Sequence, residues 1–265
     1  MKILVIPDVH GRTFWKSPVE RYINKVDKIV FLGDYFDPYP NDDGECPSFT
    51  FMMNNFNEIL DLKKANPDKV VLLYGNHDYH YASKKFDDMA RSTRFNNFKS
   101  YELRQTFNEN SDLFQLCYIA NNENKKVVFT HAGITKFWLD LCGIKNDENL
   151  EAEINNLKND DDGASKLAII GIERTWRGEK TGSPLWCDLT EFVRNEGLGK
   201  GVLQVFGHTR LKKGAWASAT DFACLDCEYC FILNDKCKLR RIEDEKVKDD
   251  KKQPAEQDSA NDSEG

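Results

Sequence analysis

Asn76 and His77 stand side by side where the apolar run Val70–Tyr74 stops, with Gly75 before them and Asp78 after. An Asn side-chain oxygen and a His ring nitrogen both bind divalent metals, and His also moves a proton near neutral pH. A plain strand-ending turn offers the same residue types, because Gly and Asn are ordinary turn residues. Recurrence separates the two readings. Lys2–Ile6 runs into Asp8 and His10, and Lys28–Leu32 into Asp34 and Asp37. Lys126–Thr130 runs into His131, and Gly201–Phe206 into His208. The chain has 5 histidines, and all but His80 sit at these ends. Strands of an α/β sheet gather such ends on one edge, where ligands bind.

Carboxylates, imidazoles and one amide, with no thiolate, suit Mn, Fe or Zn in mixed nitrogen and oxygen coordination. The set is too large for one ion that keeps an open position, and about right for two ions sharing a carboxylate. Paired ions about 4 Å apart suit in-line displacement at phosphorus. They stabilise charge on the phosphoryl oxygens and on a hydroxide nucleophile.

The elements that must position these residues follow from periodicity. The apolar runs before each polar end read as buried strands. Pro18–Lys25 reads as a short helix, and Pro38–Pro47 as a polar rim or lid. Ser48 caps a helix to about Ala65, with Phe49, Met52, Met53, Phe56, Ile59, Leu60 and Leu62 near helical spacing. Residues 84–112 read as helix and loop, and Leu113–Ala120 as one strand. Lys136–Leu141 and Leu150–Lys158 read as helical, Lys166–Ile172 as helix or strand, and Ala215–Ile242 as short strands and hairpins. The fold class is α/β (α+β).

Composition narrows the field. The chain has 265 residues, 40% hydrophobic, enough for a real core. The formal charge of −7 is concentrated in residues 243–265, leaving the body near neutral. That argues against extended nucleic-acid binding or an anionic-membrane partner. The tail, with almost no apolar residue, reads as disordered. The N-terminal apolar run before Pro7 is too short for a signal peptide, and no run reaches membrane-spanning length. With 8 scattered cysteines, the expectation is a cytoplasmic protein with reduced thiols.

Together the polar ends resemble the calcineurin-like metallophosphoesterase superfamily. Asp8-Val9-His10 is similar to its D-x-H motif, Gly33–Asp37 to G-D-x-x-D, and Gly75–Asp78 to G-N-H-D/E. Thr130–Gly133 and Gly207–Thr209 are similar to its two later histidine motifs. The resemblance spans residues 1 to about 242 and is nearest the phosphoprotein phosphatase-type branch, with bacterial and phage protein phosphatases and diadenosine tetraphosphate hydrolases. It implies a sandwich of two mixed β-sheets flanked by helices. It implies two divalent ions, Mn first, with Fe or Zn as alternatives. Asp8 and His10 would hold the first, Asp34 would bridge, and Asn76, His131 and His208 would complete the second. A hydroxide between the ions would attack phosphorus. His77, oriented by Asp37, would protonate the leaving alkoxide.

Two departures stand out. Where many phosphodiesterases of the superfamily read G-H-x-H, the last position here is Arg210, which leaves the first ion with fewer protein ligands. Where phosphatases follow G-D-x-x-D with Arg-Gly, this chain has Pro38-Tyr39. Another arginine must grip phosphate, because a planar bidentate donor suits it. Arg174 and Arg177 are the first choices and Arg12 the next, with surface salt bridges as the alternative for each. The expected activity is a two-metal phosphomonoesterase acting on phosphoprotein or a small phosphorylated molecule. A dinucleoside polyphosphate hydrolase or phosphodiesterase, and a non-catalytic scaffold of the same fold, are the alternatives. Cys224, Cys227, Cys230 and Cys237 read either as a structural zinc site or as small buried residues of hairpins. His80, three residues after His77, reads as a surface histidine, with a place in the pocket lining as the alternative.

Overall fold

The computed structural model of the chain describes residues 1–40, 44–122, 125–160 and 162–243. All of the acidic tail except residue 243 therefore lies outside the described residues. In chain order the elements are β1 (Ile3–Ile6), α1 (Lys16–Tyr22), β2 (Lys28–Phe31), α2 (Phe49–Ala65), β3 (Val70–Leu73), α3 (Asn76–Ala82), α4 (Lys84–Ala90) and α5 (Ser100–Glu109). Then come β4 (Phe114–Gln115), β5 (Tyr118–Asn122), β6 (Lys125–Phe129), α6 (Lys136–Cys142), α7 (Leu150–Asn156), α8 (Gly163–Leu167) and α9 (Leu189–Arg194). The last strands are β7 (Val202–Phe206), β8 (Ala217–Ser218), β9 (Phe222–Cys224), β10 (Phe231–Leu233) and β11 (Leu239–Arg241).

The strands form two mixed sheets, ordered β11-β10-β1-β2-β3-β4 and β5-β6-β7-β9-β8. Within the first, β1, β2 and β3 run parallel; within the second, β6, β7 and β9 do. Alternate side chains decide what each strand packs against. Ile3, Val5, Val30, Val71 and Leu73 meet Val127, Phe129, Leu203 and Val205 across the gap between the sheets. Leu4, Ile6, Ile29, Phe31 and Leu72 face the helices and pack with Phe56 and Ile59 of α2. Burial on both faces explains the unbroken apolar runs. Each such side chain stabilises the fold by about 1.5–3 kcal/mol. Helix α2 starts at the expected cap, where Ser48 Oγ accepts from the Phe51 amide at 3.2 Å.

Three local expectations change. Leu113–Ala120 is divided between the sheets, because the amides of Leu116 and Cys117 both donate to Asn155 Oδ1 (2.7 and 3.0 Å) and the chain crosses over there. The residues after Gly75 form helix α3, whose Asp78 carboxylate reaches back to the Gly75 amide at 2.8 Å. Lys166–Ile172 is the end of α8 followed by irregular chain. Among the described residues no helix is long and apolar enough to cross a membrane.

Candidate metal centre

The parallel strands of both sheets point their C-terminal ends at one place. From β1, β2 and β3 come Asp8, His10, Asp34 and Asn76; from β6 and β7 come His131 and His208. The backbone ladder continues past the strands, with the His10 amide on Asp34 O at 2.6 Å and the Gly207 amide on His131 O at 2.7 Å. The chain then turns sharply, and His10, Asp34, Asp37 and His208 all take positive φ, between 46° and 64°. Non-glycine residues rarely do so, and such strain clusters at functional sites. The glycine beside each ligand is a matter of space. A Cβ on Gly75 would stand 2.0 Å from Asp34 Oδ1, and one on Gly207 1.8 Å from Asp8 Oδ1.

His131 Nε2, Asn76 Oδ1 and His208 Nδ1 lie 3.0–3.2 Å from one another. His131 Nδ1 faces the Leu32 carbonyl at 2.8 Å, so that nitrogen carries the proton and Nε2 presents a lone pair. The Asn76 amide donates to Ser92 Oγ at 2.7 Å, which leaves its oxygen turned inward. With His208 Nδ1 unprotonated as well, three lone pairs would converge there, an arrangement that suits a cation among them. Ligands about 2.1 Å from a metal and at right angles are separated by about 3.0 Å, as these atoms are.

On the other side, His10 Nδ1 faces the Phe36 carbonyl at 2.9 Å, and its Nε2 lies 3.7 Å from Asp34 Oδ2. Asp34 Oδ1 lies 3.5 Å from His131 Nε2. One carboxylate thus turns one oxygen to each half of the site, the geometry of a bridge. The residues fit two divalent ions. Burial holds the imidazoles in the neutral, metal-binding form, with His10 pushed down to about 3 and His131 and His208 also lowered. Burial works to raise Asp34, but His131, His77 and His10 outweigh it and bring it down to about 2. Burial, then Asp226 and Asp34, push the Asp8 carboxyl well above its ordinary range.

His77 Nδ1 lies 3.0 Å from Asp37 Oδ2, and Tyr81 donates to the other Asp37 oxygen at 2.8 Å. His80 is fully buried, not on the surface. Its Nε2 lies 3.0 Å from the same Asp37 oxygen, at an angle too oblique for a hydrogen bond. It is there because α3 places residues three apart on one face. Burial raises Asp37, but His77 and His80 prevail and hold it below its ordinary value. Asp78 joins the two loops, accepting from the amides of Asp34, Tyr35 and Gly75.

A cavity of about 290 Å³ opens over these groups, lined by His10, Asp34, Asn76, His77 and His208 together with Arg91, Arg174, Tyr39 and Trp186. Arg174 is held at its rim by Asp188 (2.9 Å) and Thr209 (3.1 Å). Arg177 does not line the cavity; it is exposed and stacks on Trp176 at 4.2 Å. Arg12 also stays outside it, donating to Tyr39 O at 2.8 Å and pairing with Glu228. The sequence reading missed Arg94, whose guanidinium reaches His77 Nε2 at 3.1 Å. It also missed Asp226, which follows β9 and is buried beside Asp8 and His10. Burial, then the Asp34 charge, push Asp226 up to about 7 against the pull of Arg210.

The cysteines form no zinc site. Cys224, Cys227 and Cys230 each belong to a different apolar cluster, and no metal-competent group among the described residues contains a cysteine. The hairpin reading is the one the packing supports.

A family model described as calcineurin-like phosphoesterase matches residues 1–209. No curated protein matches the sequence. Among solved structures the chain is similar to a novel archaeal phosphodiesterase at 14% identity, covering 91% of this chain and 99% of that one with a TM-score of 0.36. It is similar to a metallophosphoesterase from Sphaerobacter thermophilus (14% identity, 92% and 89% covered, TM-score 0.45). It is also similar to YfcE, a phosphoesterase from E. coli (11% identity, 91% and 98% covered, TM-score 0.39).

Proposed function

The chain belongs to the calcineurin-like phosphoesterase family and is a metal-dependent phosphoric ester hydrolase; on that premise we propose that it is a two-metal phosphomonoesterase of the phosphoprotein phosphatase type. Asp8 and His10 would hold one ion, Asn76, His131 and His208 the other, and Asp34 would serve both, with Mn as the first choice. The observation that carries the two-ion reading is the Asp34 carboxylate, its oxygens turned toward His10 and His131 at 3.7 and 3.5 Å.

When bound, the ions supply charge for the phosphoryl oxygens and a water acidic enough to attack at neutral pH. Asp37 accepts from His77 Nδ1 and fixes the ring so that Nε2 faces the cavity. His77 Nε2 is the atom that hands a proton to the leaving oxygen, and Arg94 must yield that position when substrate enters. Arg91 and Arg174 bring two guanidinium groups to the cavity wall, which suits a terminal dianionic phosphate. The substrate is then a phosphorylated protein or small molecule.

The test is hydrolysis of p-nitrophenyl phosphate with Mn, Fe, Ni or Zn. Activity above an Asp34→Asn control, which loses the shared carboxylate, is expected; none with any of these metals would overturn the reading. A second reading rests on a groove of about 520 Å³ lined by Arg12, Arg210, Lys212, Lys213 and Glu228. Its cations favour a substrate with a further phosphate, such as a dinucleoside polyphosphate. Faster turnover of diadenosine tetraphosphate or bis-p-nitrophenyl phosphate than of the monoester would favour it.

A further inference from the structure

We propose that Asp226 is a ligand of the first ion, completing with Asp8 and His10 the position that Arg210 leaves without a histidine; the assignment rests on the two-ion reading above. Strand β9 runs parallel to β7, and the Leu225 amide donates to Phe206 O at 2.8 Å, extending the ladder beyond both strands. That extension delivers Asp226 to the edge that holds the other ligands. Its own carbonyl accepts from the Leu211 amide at 2.8 Å, which fixes the backbone there.

The ligand atoms of Asp8, His10 and Asp226 lie within 4.8 Å of one another, and all three residues are buried. Asp226 is 4% exposed and feels the charge of Asp34, as Asp8 feels that of Asp226. Buried carboxylates grouped in this way are costly unless a cation lies among them. The nearby cations are engaged elsewhere. Arg210 lies over the Tyr39 ring at 4.2 Å, and Arg12 is held by Tyr39 O and Glu228. A small cavity of about 40 Å³ is bounded by Asp8, His10 and Asp226 together with Arg12, Arg210 and Lys213, room enough for one ion beside the carboxylates. A divalent cation there would be drawn by the carboxylates of Asp8, Asp34 and Asp226 at once. The first position is then as fully liganded as the second, with hard oxygen donors that favour Mn or Fe over softer ions.

The experiment is a Mn titration of metal-stripped full-length protein, followed by calorimetry and by the electron paramagnetic resonance of the bound ion. Wild type is expected to take up two ions. Asp226→Asn is expected to keep one at unchanged affinity and to bind the other about tenfold or more weakly. The ion that persists should be the one weakened by Asn76→Ala. Two ions bound by Asp226→Asn as tightly as by wild type would overturn the assignment and leave the two-ion reading standing. Fewer than two ions in wild type would remove that reading, and this assignment with it. Should Asp226→Asn fail to fold, Asp226→Cys loaded with Co is read instead. A thiolate-to-cobalt charge-transfer band absent from wild type supports the assignment, and no such band overturns it.

Discussion

Arg94 reaches His77 Nε2 at 3.1 Å, while Nδ1 of the same ring lies 3.0 Å from Asp37. Arg94 also donates to Asp37 O at 2.9 Å and lies flat on Tyr39, 3.5 Å from the ring centre. The ring is therefore held at both nitrogens. Tyr39 thus carries a guanidinium that a distant segment of the chain supplies. Arg94→Met should lower kcat by about tenfold to a hundredfold through misplacement of His77. Metal content should stay unchanged, since Arg94 touches no proposed ligand; steady-state kinetics with elemental analysis checks both.

His77→Ala removes the proton donor and should cost about a hundredfold to ten-thousandfold in kcat. Asp37→Asn should cost less, because the ring that would donate the proton is still present. A substrate whose leaving group needs no protonation should recover most of the loss in both variants. Equal losses on good and poor leaving groups would count against the assigned role.

Gly75→Ala and Gly207→Ala each drive a methyl into a ligand carboxylate, at 2.0 Å from Asp34 and 1.8 Å from Asp8. Both variants should lose Mn affinity by at least about tenfold, with the loss falling on both ions for Gly75→Ala. Calorimetric titration reads the difference.

Asp87 gives the chain a defined acid sensitivity away from the metal centre. Burial raises its carboxyl, but Arg91 and Arg104 outweigh that and hold it below the ordinary 3.8. The depressed value means the charged form stabilises the fold. That contribution is complete above 3.8 and lost as pH falls through the lower folded value. Asp87→Asn should therefore destabilise at neutral pH by about 1–3 kcal/mol, and the gap to wild type should close in acid. Urea melts at neutral pH and in acid measure it.

Chelation should lower the melting temperature. Ions present at a hundred times their dissociation constant contribute about 2.7 kcal/mol per site. Differential scanning fluorimetry with and without Mn gives the shift.

Much of this was readable in residue order alone. Apolar runs buried on both faces announced β1, β2, β3, β6 and β7, and each stopped at a proposed ligand. The same signal was present in Phe222–Asp226, but that run is short and lies among cysteines, whose spacing invited a different reading. Arg94 left no local mark, because its partners Tyr39 and His77 come from other segments and only tertiary packing joins them. Arg177 and His80 show the same limit in opposite directions. An arginine in a promising loop points to solvent, and a histidine dismissed as superficial lies against Asp37 because α3 turns it inward.

Asp8 and His208, 200 residues apart, come from different sheets. A cation shared between those sheets ties together segments far apart in the chain, and it does so only in the native state, where the site exists. Neither half of the polypeptide can assemble the cage alone. A fragment ending before His131 would keep Asp8, His10, Asp34 and Asn76 of the proposed ligands, yet should not retain Mn through gel filtration.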